Sequence, residues 1–328
     1  MKIINAAAVL VAMAAFAAAG PVAGTGGITV VSTFNPDEGG SMNSIGYDQT
    51  TDEVFVHFEF NADYHVYAPD GTFLRTIPKP LPGGNDDDIT FLVEPASIGG
   101  VELPAGTLVL IENDVNPGRL FAVDKADGTL LATQFYNAAA PGAGWVGGAQ
   151  LSGSTFAMID YIADAIEIVD GSTDGVLSSF LVRPPGSPGF LINYGDVEVL
   201  REDGNLYLVS EQQNAIRALE PDGAWGGDFQ LGPLGVNGMS GIAFDDARGE
   251  AWVSSINGTV YRLAGFPPDG CVLADLAPPL GILDLADVGG FIDAFLAGAQ
   301  VADLAAPFGI FDLADITTFI DGFLAGCP

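Results

Sequence analysis

Basic residues are nearly missing from this chain. Ten lysines and arginines face 42 aspartates and glutamates, leaving a formal net charge of −32 over 328 residues. Polyanions are held by lysine and arginine, so this balance excludes a nucleic-acid-binding surface. It equally excludes attraction to an anionic membrane. Histidine is as scarce: only His57 and His65 occur, one read as a strand residue and the other as a turn-side residue. A histidine-based triad or a histidine-rich metal site is therefore hard to build. No Gly-Lys-Ser/Thr phosphate loop and no Gly-x-Ser-x-Gly elbow is present. Charged residues make up only 16% of the chain and glycines number 44, which suits a compact, turn-rich fold better than a disordered acidic tail.

One long apolar run exists, at the N-terminus. Lys2 precedes Ala6 to Ala19, and Ala17-Ala18-Ala19 offers small residues for cleavage before Gly20, the pattern of a secretory signal over residues 1–19. At about 14 residues and 1.5 Å per residue the run is too short for a bilayer core of roughly 30 Å. The expectation is an exported protein, extracellular, periplasmic or at the cell surface, with no membrane insertion. Two cysteines, Cys271 and Cys327, bracket the last part of the chain, and export to an oxidising compartment favours their pairing.

From 27 to 266, short β-branched and aromatic runs alternate with Asp/Gly/Asn turns. Five units share one plan, beginning at Ser44, Ile89, Gly148, Asp196 and Gly241. Each has four strand-like runs except the last, which stops after Thr259 to Leu263. The missing strand has a candidate at the opposite end of the body, Ile28 to Phe34, whose pairing into the last unit would close a ring with no open edge. A repeat of about 40 to 55 residues matches propeller blades of four antiparallel strands. The fold class expected is therefore mainly β: a five-bladed β-propeller, or six-bladed if Pro78 to Pro104 hides another blade, with a β-sandwich as the alternative of similar turn density. In repeat rhythm the body resembles secreted propellers of the NHL or gluconolactonase-like kind. Asp48, Asp88, Asp160, Asp196 and Asp245 lie near the first strands of their units, where two could converge on a central channel for carboxylate-based glycoside cleavage or could simply form turns. The Asp86-Asp87-Asp88 run reads as a solvated loop.

Residues 267–270 form a Pro-Pro-Asp-Gly linker, and 271–328 hold two copies of one unit. Ala274-Asp275-Leu276-Ala277 through Leu283-Asp284-Leu285-Ala286-Asp287-Val288 and Phe291-Ile292-Asp293-Ala294-Phe295-Leu296 recur 28 residues later, from Ala302-Asp303-Leu304-Ala305 to Phe323-Leu324. In each copy an apolar stripe (Val288, Phe291, Ile292, Phe295 and Leu296, then Ile316, Phe319, Ile320, Phe323 and Leu324) predicts a helix packed on its twin. Gly298 and Gly326 follow as stops. The loop before each helix has EF-hand logic, with carboxylates converging on a hard cation around a glycine bend. Asp275, Asp284 and Asp287 would be ligands around Gly281, and Asp303, Asp312 and Asp315 around Gly309. The same acids also suit helix capping, Asp284 as N-cap and Asp287 at the third position, and both readings stand at this stage.

This duplicated loop–helix unit, ending in Gly-Cys-Pro, resembles the GC-type dockerin domain. The resemblance implies a small α-helical, EF-hand-like pair that binds calcium and docks onto a cohesin-like module of a scaffold or surface protein. The usual third and fifth ligand places hold Ala277 with Pro278 or Pro279, and Ala305 with Ala306 or Pro307, so calcium affinity is expected near the weak extracellular end, roughly 10⁻⁴–10⁻³ M. The docking positions correspond to Leu285 and Ala286, and to Leu313 and Ala314, which makes an apolar face. Together the parts suggest a non-catalytic exported propeller for binding or display, tethered by its tail. The alternative is a carbohydrate-active hydrolase or lyase of polysaccharide breakdown, with a carbohydrate ligand at the propeller.

Overall fold

The computed structural model describes residues 27–36, 40–59, 63–80, 87–112, 118–136, 144–185, 187, 189–267, 274, 276, 283, 285–299, 302, 304 and 310–325. The expected signal and both cysteines lie outside the described residues. Among the described ones, no helix is long and apolar enough to cross a membrane.

A lone strand, β1 (Thr29–Phe34), precedes five four-strand units. Blade 1 holds β2 (Met42–Asp48), β3 (Glu53–Phe58), β4 (Asp63–Tyr67) and β5 (Phe73–Pro78). Blade 2 opens with β6 (Asp87–Phe91), carries a hairpin of β7 (Ala96–Ile98) and β8 (Val101–Leu103), and continues through β9 (Leu108–Glu112), β10 (Gly118–Val123) and β11 (Leu130–Tyr136). Blade 3 runs β12 (Trp145–Ser152), β13 (Thr155–Asp160), β14 (Ala165–Asp170) and β15 (Val176–Leu181). Blade 4 runs β16 (Gly195–Val199), β17 (Leu206–Ser210), β18 (Ala215–Leu219) and β19 (Trp225–Gln230). Blade 5 has β20 (Met239–Asp245), β21 (Glu250–Ser255) and β22 (Val260–Ala264), and β1 is its fourth strand. The propeller thus has five blades. The stretch from 78 to 104 supplies β6 and the small β7–β8 hairpin instead of a sixth blade.

The first strand of each blade is innermost, and these strands neighbour one another in the ring order β2, β6, β12, β16, β20 and back to β2. All seven residues of β2 and all seven of β20 are buried. They show no polar alternation because both faces pack against neighbouring blades. Outer strands are wetter: β15 keeps no fully buried residue. The apolar core is divided by blade seam. Phe55, Tyr64 and Val66 of blade 1 pack with Ile89, Leu110 and Phe121 of blade 2, and comparable clusters fill the seams between blades 2 and 3, 3 and 4, 4 and 5, and 5 and 1.

Ring closure rests on β1, which pairs antiparallel with β22 from Thr29↔Ala264 to Phe34↔Val260. Phe34 then lies against Tyr67 of blade 1 at 5.4 Å and Trp252 of blade 5 at 6.4 Å between ring centroids, so the closing strand also fills the last seam. Turn chemistry repeats with the blades. Asp70-Gly71, Asp127-Gly128 and Asp222-Gly223 join third to fourth strands, each glycine at positive φ (85°, 79° and 87°). Each aspartate accepts the backbone N–H two residues on, at 2.9 Å. That geometry suits Asp-Gly, since glycine carries no steric penalty there.

After the propeller come α1 (Leu285–Ala297) and α2 (Leu313–Ala325). Phe291 and Phe319 stack at 4.1 Å and 12°, and Ala274, Ala302, Val288, Ile316, Phe295 and Phe323 surround them. The predicted stripe needs one correction. Ile292 and Leu296, with Ile320 and Leu324, lie outside the shared core. The flanks of the phenylalanine stack are filled instead by the loop side chains Leu276, Leu283, Leu304 and Phe311.

Candidate functional site

The hub is polar and crossed by side chains. Asp88 on β6 accepts the N–H of Gly148 on β12 at 3.0 Å. Asp196 on β16 accepts the N–H of Ile242 on β20 at 2.9 Å and that of its own neighbour Val197 at 2.6 Å. Across the axis, the charge of Asp88 acts on Asp196. One step along the same strands, Thr90 donates to Glu198 at 3.2 Å and the Val199 N–H meets the other Glu198 oxygen at 2.9 Å. Blades 2 and 4 therefore touch over the innermost strand of blade 3. Blade 3 permits this because β12 carries Gly147-Gly148. A Cβ at Gly147 would lie 2.6 Å from the Asp196 Cα and 2.7 Å from its Oδ1.

Charge is costly here. Burial pushes the Asp196 carboxyl well above the ordinary range, and Asp88 and Glu198 add to the effect. Burial likewise raises Glu198 to about 8, with Asp246 and Asp88 contributing, while the Val199 N–H and Arg201 pull the other way.

The five acids singled out from the sequence separate into two groups. Only Asp88 and Asp196 meet at the axis. Asp48 ends β2 and receives the Thr50 N–H at 2.9 Å, the hydroxyls of Thr50 and Thr51, and the Lys125 ammonium. Although burial opposes it, Lys125 and these hydroxyls hold its pKa below the ordinary value. Asp160 ends β13, the second strand of its blade, and accepts the N–H groups of Ile162 and Ala163. Asp245 ends β20 and pairs with Arg248, which also bonds Tyr47 and Asp52 of blade 1. These three are turn acids and seam pairs. Glu198 went unnoticed in the sequence; its signal was the Asp196-x-Glu198 alternation on an inner strand. Asp86 lies outside the described residues, as does the side chain of Asp87. His57 and His65 are buried on β3 and β4 between aromatic rings, His57 against Tyr64 and His65 against Phe58 and Phe73.

On the C-terminal pair, Asp275, Asp284 and Asp303 lie outside the described residues, as do Cys271 and Cys327. Asp287 and Asp315 are fully buried. Asp287 accepts the Leu276 N–H at 2.7 Å, and Asp315 accepts the Leu304 N–H at 2.7 Å. The second oxygen of Asp315 takes the Asp312 N–H at 2.9 Å, and Asp312 in turn accepts the Ala314 N–H at 2.7 Å. Asp312 and Asp315 thus form a reciprocal capping box at the start of α2. An oxygen accepting one N–H keeps a second lone pair, so a capped loop still fits a hard cation. Among the described residues, no group of three His, Cys, Asp or Glu side chains is arranged to hold a metal; the remaining acids of each loop lie outside that set. The docking positions are open to solvent. Leu285 and Leu313 are 85% and 73% exposed, and Ala286 and Ala314 are exposed beside them. At helical spacing Leu285 shares its face with Ile292 and Leu296, and Leu313 shares its face with Ile320 and Leu324. Leu296 and Leu324 are 79% and 77% exposed.

No family model matches this chain, and no curated protein does. Solved structures do. Glutaminyl cyclase from Myxococcus xanthus is similar over 72% of this chain and 95% of its own, with TM-score 0.53 and 13% identity. Virginiamycin B lyase from Staphylococcus aureus is similar over 72% and 99%, with TM-score 0.46 and 14% identity. The WD40 β-propeller domain of Doa1 is similar over 69% and 80%, with TM-score 0.42 and 11% identity. At 13% identity the likeness to the glutaminyl cyclase is one of fold, in keeping with the five blades of this chain's body.

Proposed function

We propose that this chain is an exported, non-catalytic propeller for binding or display, tethered through residues 271–328 to a cohesin-like or other scaffold or surface protein. The tether is a calcium-binding, dockerin-like module, with Asp275, Asp284 and Asp287 in one loop and Asp303, Asp312 and Asp315 in the other. The observation that carries the reading is the matched pair of exposed apolar stripes, Leu285–Ile292–Leu296 and Leu313–Ile320–Leu324. Two leucines at equivalent places on twin helices, each about three-quarters exposed or more, are costly to leave wet and suit a partner's surface. In the body, the axial carboxylates accept backbone N–H groups from adjacent blades, which supports a structural role for them. The test is retention of the full chain on the source organism's cell-envelope fraction. Retention is expected with calcium, to be lost in chelator, and to be lost in a Leu285→Ser/Leu313→Ser variant that still folds. Equal retention of that variant contradicts the docking face.

A second reading, a carbohydrate-active hydrolase or lyase, is favoured by one observation. Glu198 is a half-buried acid raised to about 8, able to hold a proton at neutral pH as a general acid does. Polysaccharide cleavage abolished by Glu198→Gln would replace the non-catalytic reading with this one.

A further inference from the structure

The exposed stripes of the helical pair are bordered by acids and by no base. From 271 to 328 the chain has eight aspartates and no lysine, arginine or histidine. The charged residues of α1 are Asp287, which is buried, and Asp293, which is exposed. Helical spacing puts Asp293 beside the stripe, about 80° round the axis from Leu285 and about 60° from Leu296. Asp321 holds the same register place in α2, against Leu313 and Leu324. Each of these two aspartates also stands toward the carbonyl end of its helix, the end that favours a cation. Neither helix has a basic residue in its last turn. The placement therefore costs stability in the pair by itself, and a cation brought from outside would reverse the sign. The duplication also repeats this face. Leu285, Ala286, Ile292, Asp293 and Leu296 recur unchanged 28 residues on, while Val288 and Ala294, on the core side, become Ile316 and Gly322. Packing within the pair does not fix the exposed positions, so their identity in both copies points to contact with something else.

We propose that the occupant of these faces is a protein surface whose apolar patch is rimmed by lysine or arginine, set to meet Asp293 and Asp321; this rests on the docking reading given above. A second copy of this chain is the wrong occupant. It would bring these aspartates against each other on chains of net charge −32, with no base in either pair to offset them. An anionic lipid surface is repelled for the same reason. A basic-rimmed protein answers both features at once. Its apolar centre covers the leucines, and its cations lie within the screening distance of about 8–10 Å from the aspartates. The apolar contact holds the complex together. The rim charges speed its formation, make it salt-dependent and select this partner over acidic ones.

The test is retention of the full chain on the source organism's cell-envelope fraction over a salt series, with calcium held at about 10 mM, above the weak extracellular range. Wild type is expected to bind about tenfold more weakly at roughly 0.5 M than at roughly 0.05 M NaCl, and to lose retention on envelope pretreated with protease. Asp293→Asn/Asp321→Asn removes two charges and no apolar contact. It is expected to bind more weakly than wild type at low salt and to lose most of the salt dependence. Retention that disappears in Leu285→Ser/Leu313→Ser, yet ignores both salt and the aspartate variant or grows with salt, overturns the basic rim and leaves the docking face standing. Retention equal in the leucine variant, or none in wild type, overturns the docking face and this inference with it. Retention that survives protease overturns the protein partner. Leucine-dependent binding to phosphatidylcholine vesicles would put lipid on the face instead, and leucine-dependent dimers in sedimentation equilibrium would put a second copy there; either overturns the inference. Should the aspartate variant fail to fold, the wild-type salt series decides.

Discussion

The propeller and the C-terminal pair bury their apolar residues on different plans. The propeller spreads its core over five seams, each shared by two blades, and closes the set with β1. The helical pair has one small core, centred on the Phe291–Phe319 stack, and among its described residues leaves four leucines and three isoleucines in solvent. Their acids differ as well. In the propeller, carboxyls bridge blades across the axis, whereas in the pair Asp287 and Asp315 bind backbone N–H groups of their own repeats. A ring tolerates local loss while it stays closed and fails when it opens. A two-helix core has no such reserve, and the face it leaves uncovered is available to a partner.

The contrast can be broken most severely at β1. Deleting residues 27–34 leaves blade 5 with three strands, an open edge and no Phe34 in the last seam, and the expected result is loss of the cooperative unfolding transition of the propeller, read by near-UV circular dichroism. A deletion that still melts cooperatively would show that closure matters less than the seams. Next in size is Phe319→Ala. Removing a buried phenylalanine costs about 3–5 kcal/mol, enough to unfold the pair while leaving the propeller transition in place; hydrogen exchange over 285–325 is expected to lose protection without change in the blades. Smaller is Gly147→Ala, whose Cβ would lie 2.6 Å from the Asp196 Cα. Overpacking of this kind costs roughly 1–3 kcal/mol, read as a lower denaturant midpoint of the propeller with the helical pair unaffected.

Much of this architecture was legible because its signals are local. Asp-Gly turns at fixed places, β-branched runs between them and the missing fourth strand of blade 5 gave the blade count and the pairing of β1. The 28-residue duplication gave both helices. The β7–β8 hairpin was hidden in a stretch whose strands are three residues each, too short for alternation to show. Which of the candidate acids reach the hub was hidden for a different reason. Asp88 and Asp196 are 108 residues apart in sequence, as are Thr90 and Glu198, and nothing in either segment records that blades 2 and 4 meet over a pair of glycines. Helical spacing predicts the whole stripe of α1 against its twin because it gives a face but not the width that a partner covers. Val288, Phe291 and Phe295 are covered; Ile292 and Leu296 are not.

The central claim, that the C-terminal pair is a calcium-dependent tether, is tested most directly by calorimetric titration of the full chain with calcium. Wild type is compared with Asp284→Asn/Asp312→Asn, in which asparagine can still cap each helix. The account predicts two sites per chain with dissociation constants of roughly 10⁻⁴–10⁻³ M, both lost or strongly weakened in the double variant. Absence of binding heat in wild type, or the same heat in wild type and variant, would contradict it and leave those aspartates as helix caps alone.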